Sequence, residues 1–280
     1  MVVTSLVAVI VNYNSESDSI RCIDSMLAQK ICPPKNIVLV DNNSPDGSGL
    51  RLRAHFPQIS TLLSERNDGY GAGVNLGVAH ARADFYLILN PDTYFQHNRM
   101  DEALALFKTH HDLGILGMNL LNPDGTQQYS ARTFYSAWSI VLRRSQLGKL
   151  GPFQGGKQRH LMEKAWGNGP FSADWVMGTG FIVRQQAFDQ LQGMDETFFL
   201  YMEDVDLCAR MWAHGWQVWA DPRLTLIHDH QRDSDQKMFS WSAKMHLKSL
   251  ARFRYKFGLP WFVTPSRDWM RDRFLRNVQS

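Results

Sequence analysis

A chain of 280 residues that is 44% hydrophobic and 20% charged is long enough for one elaborated domain and too apolar to be disordered. Its three cysteines, Cys22, Cys32 and Cys208, show no CxxC or CxxH spacing, which argues against a disulfide scaffold or a zinc module. Ser5 to Asn12 lacks the basic flank of a signal peptide, and no apolar run approaches the roughly 20 residues that span a bilayer, so a cytoplasmic protein is expected.

The net charge of +3 conceals an asymmetry. From Lys244 onward the chain carries nine Lys/Arg and two acids, a balance of +7, which leaves −4 on the preceding residues. A slightly acidic body with a basic, aromatic-rich tail suggests a surface for anionic partners.

In chain order, Leu6 to Tyr13 reads as a buried strand, Ser19 to Gln29 as a helix and Asn36 to Asp41 as a second strand, which together make a βαβ unit. Leu50 to Phe56 reads as a short helix, Ser60 to Ser64 as a strand, Gly71 to Ala81 as a helix and Phe85 to Leu89 as another strand. Continuous apolar strands separated by helices predict an α/β fold with a mostly parallel sheet covered on both faces.

Farther on, Arg143 to Asn168 reads as a long loop or flap, and Trp175 to Val183 as a small-residue strand or turn. A helix starting near Gln185 closes at Gly193, and Glu203 to His214 is a helix ended by Gly215. Trp216 to Ala220 and Leu224 to His228 read as a hairpin, Ser234 to Phe257 as a long helix and Arg267 to Arg276 as a further helical stretch.

Ligands of such sheets sit at the carboxyl ends of the strands. Three strands end in polar residues there: Asn12-Tyr13-Asn14, Asp41-Asn42-Asn43-Ser44 and Asn90-Pro91-Asp92. Asp92, exposed directly after a buried strand, can hold a divalent cation whose other ligands are water and phosphate oxygens, although an Asx-turn would also explain an aspartate at this place.

These segments, with Asn67 to Gly77, Met177 to Phe181, Glu203-Asp204 and His228, form an ordered series of seven motifs. The series resembles the inverting glycosyltransferases of family two with the GT-A fold, and within them a bacterial rhamnosyltransferase-like branch whose metal motif reads Asn-Pro-Asp. The resemblance runs from about Val7 to Gly258. It implies a GT-A domain over residues 1–233 and a basic C-terminal helical region over 234–280.

It also implies roles. Asn12, Tyr13, Asn14 and Asp41 would surround the base and ribose of a nucleotide sugar; Asn67, Asn75, Asn90, Asp92 and Gly178 would line the rest of its pocket. Helix packing is the other reading of the glycines between Gly69 and Gly77. Asp92 and His228 would hold Mg²⁺ or Mn²⁺, with His230 an alternative to His228. Asp204 would be the general base, with Glu203 orienting it or touching the acceptor, while Asp206 reads as a helix-face acid.

The function this implies is transfer of a sugar, with dTDP-L-rhamnose the favoured donor and another hexose or galactofuranose the alternative. The acceptor would be a glycan or a polyprenyl-diphosphate-linked sugar in bacterial surface polysaccharide synthesis. A sugar-phosphate nucleotidyltransferase would need a Gly-rich, Arg-containing signature where this chain has Asn12 to Ser15, and a non-enzymatic basic-tailed binder is opposed by Asp92, Asp204 and His228. Trp261, Phe262 and Trp269 with the tail's cations would meet an anionic membrane at its inner face, and no nucleic-acid partner is expected.

Overall fold

The computed structural model describes residues 5–134, 151–167, 169–229, 241–261 and 263–278. The first half follows the βαβ logic of the sequence. Strands β1 (Leu6–Asn12), β2 (Ile37–Asp41), β3 (Ser60–Leu63) and β4 (Phe85–Leu89) run parallel in the order β3-β2-β1-β4. Helices α1 (Glu16–Ala28), α2 (Ser48–His55) and α3 (Tyr70–His80) make the crossovers.

Residues alternate between two cores. Val7, Val9, Val11, Val38 and Val40 enter one, while Leu6, Ala8, Ile10, Ile37 and Leu39 enter the other. This is the period of two expected of strands covered on both faces. Cys22, Ile23 and Met26 bring α1 onto the second core, and Val74 and Val78 bring α3 onto the first. A methyl group on Gly77 would overlap Val9 and one on Gly73 would overlap Val11, so these glycines let α3 lie close on the sheet.

The remaining elements are β5 (Thr93–Tyr94), α4 (Met100–Thr109), β6 (Leu113–Leu121), β7 (Gln127–Gln128), β8 (Ala131–Arg132), α5 (Gly151–His160), β9 (Phe171–Ser172), β10 (Trp175–Val176), β11 (Gly180–Arg184), α6 (Gln185–Gln190), α7 (Glu203–Ala213), β12 (Gln217–His228), α8 (Trp241–Lys256) and α9 (Arg267–Val278). Strand β11 is antiparallel between β4 and β6, β12 runs parallel to β6, and β5 closes the far edge. With β7 on β6 and β9 on β12, the described residues form one ten-stranded mixed sheet, beside a separate β8–β10 pair.

Several elements depart from the sequence expectation. The hairpin expected from Trp216 to His228 is one strand: Asp221-Pro222 reads as a turn but is absorbed as an irregularity between Asp221 and Thr225, while both halves stay paired with β6. Strand β6, buried at nearly every position, escaped the pattern because Gly114, Gly117 and Asn119 interrupt its β-branched character. Within the expected flap, residues 151–160 are helical despite three glycines, and 143–150 and 168 lie outside the described residues. Helix α1 begins at Glu16 rather than Ser19. The expected long helix is described from Trp241; residues 234–240, like His230, lie outside the described set.

The C-terminal helices share the first core: Leu250, Phe253, Phe257, Leu259 and Met270 are buried with the β1 and β2 valines, and Trp269 packs against them. Part of the basic tail is turned inward. Arg267 pairs with Asp174 and stacks on Trp212, Arg254 is buried and donates to the Val263 carbonyl, and Lys256 pairs with Asp195 and Asp206. Asp206 is therefore not a helix-face acid; it is fully buried, held by Arg210 at 2.7 Å and Lys256 at 2.7 Å. Among the described residues no helix is long and apolar enough to cross a membrane.

Candidate functional site

The strand ends converge as the topology requires. Asn12 and Asp41 are opposite each other in the β1–β2 ladder, and Asn12 Nδ2 donates to Asp41 Oδ1 at 2.6 Å. Ser44 adds its hydroxyl and backbone N–H to the same carboxylate, and Ser19 donates to Asn12 Oδ1. Both side chains are buried, so they brace the loops after β1 and β2 from within. Tyr13, 46% exposed, and Asn14, in the left-handed region, are what this edge turns outward.

Asp92, just before β5, and His228, the last residue of β12, meet with Oδ2 and Nε2 3.2 Å apart. Asp92 Oδ1 is buried without a hydrogen-bond partner. His228 Nδ1 lies 2.7 Å from Gln128 Oε1. The neighbouring Asp229 is occupied by Arg21 at 2.6 Å. Among the described residues no three His, Cys, Asp or Glu side chains form a cluster, and those residues offer the Asp92–His228 pair here. A partnerless carboxylate oxygen beside an imidazole nitrogen fits a hard divalent cation that draws its other ligands from phosphate and water.

The third part begins α7. Tyr201 and Met202 both have positive φ, a costly backbone for residues with side chains, and this bend delivers Glu203 and Asp204 to the sheet edge. It is fixed from outside: Tyr70 N–H donates to the Phe199 carbonyl and Ser249 Oγ to the Leu200 carbonyl. Asp204 accepts from the Gly178 N–H at 2.9 Å and the Val205 N–H at 2.8 Å. Burial raises its pKa, while those two donors and the Arg132 guanidinium oppose the rise. Glu203 Oε2 has no hydrogen-bond partner, and burial, then the charge of Asp204, pushes Glu203 up to about 8.

Tyr70 joins the two halves. Its hydroxyl donates to the Gly178 carbonyl at 2.8 Å, and after burial the groups that raise its pKa are Glu203, Asp204 and Asp92. The acid pair on α7 and Asp92 are thus both within electrostatic reach of the Tyr70 hydroxyl.

Residues 7–202 match the model of Glycosyl transferase family 2. The chain belongs to that family. It is a glycosyltransferase of GT-A-like fold. It is 27% identical over 263 residues to the N-acetylglucosaminyl-diphospho-decaprenol L-rhamnosyltransferase of Mycobacterium tuberculosis, covering 85% of this chain and 80% of the relative. It is also 26% identical over 196 residues to the rhamnosyltransferase WbbL of Escherichia coli, covering 66% and 69% of the two chains. Among solved structures, the mannosyltransferase PcManGT of Pyrobaculum calidifontis, in complex with GDP-Man and Mn²⁺, superposes with a TM-score of 0.62 at 13% identity, covering 98% of this chain and 74% of the other.

Not every residue singled out in the sequence of this glycosyltransferase lies open at the site. Asn75 is occupied elsewhere: its amide donates to the Met194 carbonyl and Glu196, and its oxygen accepts from the Met194 N–H. Asn67 accepts from the Gly69 N–H as a turn residue. The Asn90 backbone carbonyl accepts from Thr93 Oγ1, and Gly178 supplies a backbone donor to Asp204. Tyr70, Gln128 and Arg132 were missed. Tyr70 stood beside the glycine series as a visible signal; Gln128 lies in a local hairpin that meets His228 only because β6 pairs with β12, and Arg132 reaches the site through the pairing of β8 with β10.

Glu203 gives a pH-dependence of known sign. Its folded pKa of about 8 exceeds the ordinary value of 4.5, so between these pH values the folded chain binds more protons than the unfolded chain and stability falls as pH rises. Glu203→Gln is expected to flatten that decline, as read by urea denaturation at several pH values. An unaltered slope would assign the decline to other groups.

Proposed function

We propose that this glycosyltransferase moves L-rhamnose from dTDP-L-rhamnose onto a glycan or polyprenyl-diphosphate-linked acceptor in the assembly of a bacterial surface polysaccharide. The observation that carries the reading is the pairing, around Tyr70, of a cation-suited carboxylate–imidazole pair with an acid pair of split environment. The rhamnosyl donor is supported by the relatives, which include the mycobacterial and E. coli rhamnosyltransferases and a dTDP-rhamnosyl transferase of Shigella flexneri. The lipid-linked acceptor is supported by the decaprenol named for the mycobacterial relative.

In this reading Asp92 and His228 hold Mg²⁺ or Mn²⁺. When bound, the cation neutralises charge on the departing diphosphate. Asp204 accepts the proton of the acceptor hydroxyl as that oxygen forms its bond to the anomeric carbon and the bond to the donor diphosphate breaks. Gly178, Val205 and Arg132 favour the ionised form of Asp204, while Glu203 stays protonated at neutral pH and does not compete for the proton. Tyr13 and Asn14 contact the nucleotide from the exposed edge, over loops braced by Asn12 and Asp41.

Residues 1–233 form the donor-binding and catalytic unit in this account, and 234–280 present a basic surface to the inner face of the cytoplasmic membrane. Support comes from the outer side of α8, where Lys244, Lys248 and Arg252 are exposed among Trp241, Leu247 and Tyr255, the last 90% exposed. Trp261 extends this surface, while the inward Lys256, Arg254 and Arg267 are spent on the fold.

Nucleotide release from a panel of nucleotide sugars tests the donor: dTDP-L-rhamnose is expected to be turned over fastest, and preference for another sugar would replace it. Asp204→Asn should keep donor affinity while transfer falls on the order of 10²–10⁴-fold. Equal loss in binding and turnover would remove Asp204 as base. Changing Lys244, Lys248 and Arg252 to Glu should abolish salt-sensitive sedimentation with anionic vesicles, each cation being worth about 1 kcal/mol at such a surface. Undiminished sedimentation would move the membrane contact elsewhere.

A further inference from the structure

We infer that Gln128 is a positioning residue that fixes the ring and tautomer of His228 and thereby turns the Nε2 lone pair toward a divalent cation at Asp92. The inference rests on the metal-site reading above and goes beyond it by assigning a residue and a hydrogen-bond polarity.

The polarity follows from the chemistry of each link. Asp124, in the turn joining β6 to β7, has an ionised carboxylate that only accepts. The Thr126 hydroxyl therefore donates to Asp124 Oδ1, at 2.6 Å. Thr126 Oγ1 is then left to accept from Asn122 Nδ2 at 2.8 Å. This turns Asn122 Oδ1 toward the Gln128 amide, which donates to it at 2.5 Å and to the His228 carbonyl at 2.9 Å. With both of its N–H groups so placed, Gln128 can present only Oε1 to the His228 ring. Nδ1, at 2.7 Å, must carry the hydrogen.

The local backbone holds this chain in register. Asn122-Pro123-Asp124-Gly125 repeats the Asn-Pro-Asp of 90–92, but here it closes a hairpin: Gly125 N–H donates to the Asn122 carbonyl and Asn122 N–H to the Thr126 carbonyl. Gly125 takes the positive φ that the turn requires. Strand β7 then pairs with β6, Gln128 opposite Leu120, which points Gln128 at the end of β12.

A neutral His228 of this tautomer turns an Nε2 lone pair toward Asp92 Oδ2, so two acceptors face each other. A metal cation relieves that opposition. The other neutral tautomer would donate Nε2–H to Asp92 and close the pair against a metal. Partners on the far nitrogen of a ligating histidine fix its tautomer and raise its basicity, and their loss typically weakens metal binding roughly 10–100-fold.

Histidine nitrogen NMR of the metal-free protein at alkaline pH should find the His228 hydrogen on Nδ1. In Gln128→Leu it should move to Nε2, with Mn²⁺ affinity, read by electron paramagnetic resonance of free Mn²⁺, falling about 10–100-fold. Gln128→Glu, which still accepts from Nδ1, should keep the wild-type tautomer. Circular dichroism and Tm verify that the variants fold. A wild-type hydrogen on Nε2, or unchanged Mn²⁺ affinity in folded Gln128→Leu, overturns the inference. Asp92→Ala separates the two levels: if it also leaves Mn²⁺ affinity untouched, the metal-site reading falls; if it abolishes binding while Gln128→Leu does not, only the relay falls.

Discussion

Two carboxylates adjacent in sequence and withdrawn from water cannot both ionise without compensation, because desolvation and mutual repulsion each oppose the second charge. Glu203 and Asp204 are under that constraint, and much of the surrounding structure resolves it unequally. Asp204 receives backbone N–H groups from Gly178 and Val205 and the field of Arg132. Glu203 Oε2 receives no hydrogen bond. Environments that push two acids apart give one of them a proton-accepting role and keep the other neutral. Delivering them takes a β10–β11 turn that aims Gly178 inward and two left-handed residues, Tyr201 and Met202, whose conformation is held by neighbours on α3 and α8.

The C-terminal helices are consequently part of the site's support. Lys256 of α8 and Arg210 of α7 neutralise Asp206, three residues beyond Glu203, and Lys256 also reaches Asp195 in the segment leading to the strained bend. Removing one partner of such a buried group typically costs about 3–5 kcal/mol, so the region that presents exposed cations on one side is bound to the helix that carries Glu203 and Asp204 on the other. The division of labour is by helical face: Ser249, Leu250, Phe253 and Phe257 point inward, while Lys244, Lys248, Arg252 and Tyr255 point outward.

The parallel half of the sheet was legible because its strands are unbroken β-branched runs and its helices repeat apolar residues at one-turn spacing. Strand β6 was not, since glycines and an asparagine dilute a strand whose burial comes from β11 and β12 on either side. Asp221-Pro222 carries the local signature of a turn, and only pairing with β6 makes it a bulge. At the candidate site, Asp92, His228, Glu203 and Asp204 were singled out by motif order, and the structure sets Asp92 against His228 and Glu203 beside Asp204. Asn12 and Asp41 were found but face inward as a brace, and Asn75 is engaged by Met194. Asn122-Pro-Asp and Asn90-Pro-Asp are the same tripeptide, and the residue that follows tells the hairpin turn from the strand end: Gly125, with positive φ, after the first and Thr93, which opens β5, after the second.

The proposed mechanism, with a base on one side of the reacting carbon and the diphosphate departing on the other, is a single displacement. The anomeric configuration of the product, read from its one-bond carbon–hydrogen coupling by NMR, tests this most directly. The account requires the configuration opposite to that of the donor sugar. A product that retains the donor's configuration would contradict it, because Asp204 would then have to act through a second displacement that this arrangement does not provide.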